Sequence, residues 1–355
     1  MKQLLDYTQI RPAHTYRRMV PNVFNAASCD ADLLKWFFRK ISEDFVEAPS
    51  EGYIFLPRCY VFDGRYILDE GFTWVEQSLS DWEVTNDIKR WIIDNIKNNI
   101  GPAVNEGRDG WHTVMFMQCN SENYGHFLCE SAPKLIHLAK MGCRKARIIF
   151  PKNCMKYCSF TQKFLAYLGI ESEPLTLDEG SSVCLQNVLY FTAVSKHNFR
   201  KSETLLEFRD VALSLTAERG ARSRKLFITR AEGDRRRLSN QEATAFCLAE
   251  IGYDAVYPGN LSVLEQIQLF AQASHIVGSV GAGMTNMLFC PAGADVFYIC
   301  NGLLDFFFWD IAGLCRQKFH WFFAQPLKVF DQETFVRNFT VNIGGLMSAL
   351  EFTQA

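Results

Sequence analysis

Three groups of residues have types and spacings that suit chemistry. The first is Asn123, Tyr124, His126 and Glu130, in NYGHFLCESAPK. On a helix His126 and Glu130 share one face, a turn apart. A carboxylate beside an imidazole raises its basicity and fixes the ring, which suits a general base. The competing reading is a helix start, with Asn123 as N-cap, His126 a satisfied part-buried histidine and Glu130 near the positive helix end. The second group is Arg230, closing the run RKLFITR, with Arg235, Arg236 and Arg237 in the polar loop after it. An arginine at the carboxyl end of a parallel strand lies on the ligand side of the sheet, where its guanidinium can grip phosphate as a fork. For at least one of the three consecutive arginines an ordinary solvated loop charge is the plainer reading. The third group is HIVGSVGAGMTNMLF, residues 275–289: an apolar strand, then Gly281-Ala282-Gly283, then a helix expected from near Thr285. Free N–H groups around Ala282, Gly283 and Met284, with the positive helix end, favour a phosphate. The pattern is neither the dinucleotide fingerprint nor a P-loop, so a tight strand–helix turn competes with it. Asn286, on the first turn, suits a ribose or a loop carbonyl. Glu265 is half of a capping box with Ser262 and is ambiguous between that role and a ligand contact.

The elements that must position these groups alternate along the chain. YIFLPRCYVFDGRYILDEG reads as a hairpin turning at Asp63-Gly64, and residues 82–99 have helical spacing at Trp82, Ile88, Trp91, Ile92 and Ile96. From residue 111, HTVMFMQ, ARIIF and VCLQNVLYFTA read as strands, with helices over NYGHFLCESAPKLIHLAKM and TQKFLAYLGI between them. Pro133 predicts a kink or restart in the first of these helices. After SETLLEFRDVALSLTAER a second series runs RKLFITR, SNQEATAFCLAEIG, DAVYP, SVLEQIQLFAQA, HIVGSV, DVFYIC, FFFWDIAGLCRQ and KFHWFFA. Capping boxes are expected at Ser239–Glu242 and Ser262–Glu265, and Gly252 as a helix stop. Two α/β series predict two Rossmann-like domains of parallel βαβ units, residues 1–200 and 201–355, with the boundary near 200–222 and closing helices at the C-terminus.

Composition narrows the classes. The 355 residues carry a net charge of −2, which argues against a general polyanion binder, and 48% are hydrophobic, enough for real cores. No run of eighteen apolar residues suggests a membrane span, and the N-terminus lacks a secretory pattern. The twelve cysteines are scattered through apolar segments without zinc spacing, as expected of buried free thiols in a reducing compartment. Asp30-Ala31-Asp32 has the spacing of a metal–nucleotide carboxylate pair but precedes no buried strand, and reads as a surface pair. Arg17, Arg18 and Trp36 are candidates for membrane contact or, more plainly, surface and core residues.

The three groups, in this order, resemble glycosyltransferase family 61. Its stretch ending in E-x-x-P-[RK] corresponds to NYGHFLCESAPK, its arginine-ended strand and N-x-E pair to FITRAEGDRRRLSNQE, and its E-Q helix and glycine corner to LEQIQLFAQASHIVGSVGAGMTNMLF. The resemblance implies a GT-B-like α/β architecture, two Rossmann-like domains facing across a cleft. It implies inverting transfer of a sugar from a nucleotide-sugar to a saccharide or lipid-linked acceptor in cell-surface polysaccharide (capsule or O-antigen) biosynthesis. The donor would lie on Arg230, Arg237, Glu265, Gly281, Ala282, Gly283, Met284, Thr285 and Asn286. His126 and Glu130 would be catalytic, with Asn123 and Tyr124 on the acceptor side. No metal, other cofactor or nucleic acid is expected, and the location would be cytoplasmic, with peripheral contact at the inner membrane. One departure is Val280, where many members carry histidine. It keeps open a catalytically inactive carbohydrate- or nucleotide-binding or scaffold protein on the same fold. A nucleotidyl or phosphoryl transferase is the other rival, but the sequence shows neither a P-loop lysine nor a metal–carboxylate pair.

Overall fold

The computed structural model describes residues 7–43, 45–75, 85–101, 110–118, 120–196, 199–216, 221–328 and 332–354. The chain divides into two compact units: residues 1–14 with 47–215, and residues 15–46 with 216–355. The stretch 15–46, expected in the N-terminal domain, thus belongs to the second unit. The reason is strand pairing and charge. Asn22–Phe24 adds in parallel to Lys318–Phe323, and Arg18 pairs with the buried Asp310 at 2.8 Å while stacking 3.9 Å from the Trp309 ring. Arg18 is therefore an internal fastener and not a membrane contact, whereas Arg17 and Trp36 are exposed. Asp30 caps the helix Ala31–Ser42, accepting from the N–H groups of Asp32 and Leu33.

The first unit is built on one mixed sheet. Four strands, Glu171–Leu177, Lys145–Pro151, His112–Met115 and Ser182–Phe191, run parallel in that spatial order. Glu51–Phe62 joins antiparallel to the last of them and also pairs with Tyr7–Arg11 and Tyr66–Asp69. Asp63 and Gly64, both at positive φ (54° and 65°), make the tight hairpin turn expected there. Ile54, Leu56, Val61, Met115, Ile149, Leu185 and Val188 fill the core on this sheet. Helix Asn86–Asn99, capped by Thr85, lays Ile92 and Ile96 against Phe62 and Leu68; Trp82 lies outside the described residues.

The second unit is a six-stranded, all-parallel sheet. Its spatial order is Tyr253–Val256, Arg224–Ile228, Ala273–Ser279, Asp295–Cys300, Lys318–Phe323, Asn22–Phe24. Asp295–Cys300 is buried along its whole length, as a central parallel strand covered on both faces must be. From Arg224–Ile228 the chain first steps outward to Tyr253–Val256, then crosses back to Ala273–Ser279 and continues the other way. The strand order therefore reverses between Arg224–Ile228 and Ala273–Ser279. In open parallel sheets such a reversal leaves a crevice at the carboxyl ends of the two strands, where ligands bind.

Eleven cysteines are described and all are free, nine of them buried, with Cys119 outside the described residues. Among the described residues no helix is long and apolar enough to cross a membrane.

Candidate active site

In the first unit, the chain leaving strand His112–Met115 forms a single α-turn, Tyr124–His126, capped by Asn123, whose side chain accepts from the Gly125 N–H at 2.9 Å. The helix then widens into a π-turn over Phe127–Ser131, tightens to 3-10 over Ala132–Leu135 and resumes as α over Ile136–Lys140. Pro133 is the cause. It has no N–H for the carbonyl of Cys129, four residues back, so the regular ladder cannot pass; Ser195 Oγ donates to that carbonyl instead, at 2.9 Å. Single π-turns recur at functional sites because they re-aim side chains.

On this turn His126 Nδ1 lies 2.9 Å from Glu130 Oε2. Burial disfavours the imidazolium, but the bond to Glu130 and the charges of Glu130 and Glu122 more than offset it, and the pKa of His126 is raised above the ordinary imidazole value. Glu122 is itself paired with Arg65 at 2.9 Å. Tyr124 is half-buried, with its phenol pushed well above the usual range by burial. A second acid–imidazole pair, Glu51 and His137 at 2.9 Å, belongs to the same unit, but both side chains are 0% exposed. The His126 side chain retains 14% exposure. Of these two pairs, the His126 pair is the one open to solvent.

In the second unit, Arg230 and the glycine corner meet where the strand order reverses. Arg230 follows strand Arg224–Ile228, and Gln241 grips its backbone from both sides, accepting from the N–H at 2.8 Å and donating to the carbonyl at 3.0 Å. Its Nη1 donates to Val280 O at 2.7 Å. A Cβ on Gly281 would stand 1.9 Å from that same Nη1, so the bare backbone of Gly281 is the space the guanidinium occupies. Gly283 is close-packed in turn, with a would-be Cβ 3.2 Å from Ile228 Cγ2. The helix after the corner begins at Ala282, earlier than the expected Thr285, and is 3-10 through Phe289. Met284 N–H is spent on Gly281 O at 3.0 Å, which leaves the amides of Ala282 and Gly283 at the corner. Asn286 and Thr285 are buried, and Asn286 Nδ2 donates to Gln266 Oε1 at 2.7 Å and to Gly283 O at 3.1 Å. Asn286 thus ties the corner to the helix Val263–Phe270. Glu265 completes the capping box with Ser262 on the exposed end of that helix.

The three consecutive arginines separate. Arg235 is exposed. Arg237 is paired with Glu242, and its N–H donates to Asn338 Oδ1 at 3.0 Å. Arg236 turns inward: its backbone adopts φ 60°, its guanidinium lies 4.9 Å from the Phe335 ring, and Ser279 Oγ donates to its carbonyl. Burial and the neighbouring charge of Arg236 push the pKa of Arg230 down to about 10; burial also lowers that of Arg236. Neither guanidinium has a carboxylate ion-pair partner among the described residues. Two half-buried cations that repel each other at the carboxyl edge of a parallel sheet have the chemistry to hold an anion. On the same edge, past strands Asp295–Cys300 and Lys318–Phe323, lies a polar cavity of about 290 Å³ lined by Asn301, Gln325, Lys328, Thr334 and Arg337.

The family model of Glycosyltransferase 61 matches residues 124–297, from the His126 turn through the arginine strand and the glycine corner. Over this stretch the chain belongs to glycosyltransferase family 61. No curated protein matches the sequence significantly. Two features of the candidate site could not be told from the sequence. Arg236, and not Arg237, keeps company with Arg230. Lys134 is fully buried one turn after Glu130. The only hint of either was charge in an otherwise apolar or crowded run. Val280, at the position of the frequent family histidine, is 4% exposed, and its carbonyl serves Arg230. Among the described residues no group of three or more His, Cys, Asp or Glu side chains converges to hold a metal ion.

Proposed function

We propose that this glycosyltransferase is an inverting, metal-independent enzyme of the GT-B type that moves a sugar from a nucleotide-sugar to a saccharide or lipid-linked saccharide. The second unit takes the donor. Its diphosphate sits on Arg230, Arg236 and the amides of Ala282 and Gly283, and the polar cavity along the same sheet edge takes another part of the donor. Charge that builds on the departing nucleoside diphosphate is stabilised by the two guanidiniums, which are already in place and need no reorganisation. His126 is the base. With Nδ1 held by Glu130, its Nε2 takes the proton of the acceptor hydroxyl while the oxygen attacks the anomeric carbon from the face opposite the leaving group. Asn123 and Tyr124, on the same turn, flank the acceptor. Arg237, Glu265, Thr285 and Asn286 shape the donor site by holding the loop, the helix and the corner. The reaction serves cell-surface polysaccharide assembly in the cytoplasm, at the inner face of the membrane.

The observation that carries this reading is the pair of half-buried guanidiniums without carboxylate partners at the strand-order reversal. A thermal-shift screen with UDP-, GDP-, CMP- and TDP-sugars tests it. A ligand present at 100 times its Kd and specific for the native state contributes about 2.7 kcal/mol. One nucleotide class should stabilise the wild type selectively and lose its effect in Arg230→Ala. No selective shift, or one retained in that variant, overturns the seat.

A further inference from the structure

The π-turn that carries Glu130 is fastened on both sides of that residue by serines from outside it. Before Glu130, the buried Cys129 carbonyl accepts from Ser195 Oγ at 2.9 Å. After it, Ser131 Oγ lies 2.7 Å from Ser121 Oγ. Ser121 Oγ already donates to Gln118 O at 2.6 Å, so in the serine pair Ser131 donates. Ser121 and Ser195 come from the loops after His112–Met115 and Ser182–Phe191, which are neighbours in the sheet. Ser195 is itself held. It pairs with Lys201 across the hairpin Ser195–Lys196 and Phe199–Lys201, and the Ser202 N–H donates to Val194 O at 3.0 Å. The Cys129 carbonyl and the Glu130 nitrogen belong to one rigid peptide plane. Whatever turns that carbonyl therefore turns the backbone of Glu130, whose carboxylate lies 2.9 Å from His126 Nδ1.

We propose that Ser195 is a positioning residue for the His126–Glu130 pair: its hydroxyl, donated to Cys129 O, holds the peptide before Glu130 so that the carboxylate meets Nδ1. The inference rests on the assignment of His126 as the base and deepens it. Pro133 offers that carbonyl no N–H from the helix, so the donor has to come from another element. Without the hydroxyl, the buried carbonyl turns towards another donor, because leaving it unpaired is disfavoured, and the carboxylate is drawn off the ring.

The test is an NMR titration of the His126 ring, identified by its absence in His126→Ala, in wild type, Ser195→Thr and Ser195→Val. Threonine keeps the hydroxyl, and valine puts a methyl in its place. Ser195→Ala is a second variant without the hydroxyl, so the comparison survives a misfolded valine variant. Burial lowers the basicity of His126 and the bond to Glu130 raises it. Valine and alanine should therefore lower the midpoint by at least about half a unit, and threonine should restore it. The other charges felt by the ring are Glu122, which raises its basicity, and Lys201, which lowers it; displacement of Lys201 would move the midpoint up instead. Thr204→Val removes a different buried hydroxyl, 2.6 Å from Glu51 Oε2, and should leave the midpoint in place. Midpoints at or above the wild-type value in folded Ser195→Val and Ser195→Ala, or an equal fall in Thr204→Val, overturn the inference. In parallel, kcat/KM of Ser195→Val should fall at least about tenfold through kcat, with nucleotide affinity unchanged. If the midpoints fall and kcat/KM does not, Ser195 still places Glu130, but His126 is not the base.

Discussion

Replacing Gly281 by alanine separates two roles for the glycine corner. Gly281 is extended, with φ 161°, so alanine fits the backbone without strain. The new Cβ, however, would stand 1.9 Å from Arg230 Nη1. Ordinary contact requires the guanidinium to retreat by about 1.5 Å or more. That movement breaks its 2.7 Å bond to Val280 O and takes the charge away from the phosphate seat. A hydrogen bond to a charged group contributes about 1.5–3 kcal/mol, so nucleoside diphosphate affinity should fall about 10- to 150-fold. Arg230→Ala should lose a similar amount. Because both changes remove one guanidinium from one place, the double variant should bind about as weakly as Arg230→Ala alone, a coupling as large as the single effect. Calorimetric titration with UDP, GDP, CMP and TDP, followed by a double-mutant cycle on the tightest, reads this directly. Additive losses would show that Gly281 acts by letting the backbone approach the ligand, independently of Arg230. Unchanged affinity in both single variants would remove the phosphate seat.

Other expectations follow from the same geometry. His126 has a raised pKa, so its acid limb in kcat/KM should lie above about 6.5, the ordinary imidazole value. The stability contributed by its bond to Glu130 has the corresponding sign: full below about 6.5 and lost as pH rises through the raised value, visible as a falling urea midpoint that Glu130→Gln flattens. Asn286→Ala strands the buried Gln266 Oε1 without its 2.7 Å donor and should cost about 1–3 kcal/mol in urea unfolding; a loss within about 0.3 kcal/mol would mean that the corner is not tied down there. Chelation by EDTA should leave turnover unchanged; loss restored by a divalent cation would refute the metal-independent mechanism.

How far the sequence reached can be seen residue by residue. Asp63-Gly64 was readable because two consecutive positive φ angles admit few residue types, and Ser262–Glu265 because both halves of its box bond only within their own turn. The similar box at Ser239–Glu242 fails for tertiary reasons. Ser239 N–H is taken by Phe339 O at 2.7 Å, Asn240 is fastened to Val341, Glu242 is drawn to Arg237, and the helix starts at Gln241 without a side-chain cap. Strand Glu171–Leu177 escaped notice because it is an edge strand, half exposed and interrupted by Pro174. Residues 15–46 could not be assigned to the second unit from periodicity, since Asn22–Phe24 is three residues long and finds its partner nearly three hundred residues away. At the site, His126, Glu130 and Arg230 stood out by type and spacing. Which of Arg235, Arg236 and Arg237 turns inward depends on one left-handed backbone angle, which local sequence does not encode.

The most direct measurement is proton NMR of a nucleotide-sugar incubated with the enzyme, observing the anomeric configuration of the first product, whether transferred or hydrolysed. A single displacement with His126 as base predicts the configuration opposite to the donor's, and no product above background from His126→Ala at the same donor affinity. Retained configuration, or product from His126→Ala at the wild-type rate, would contradict it.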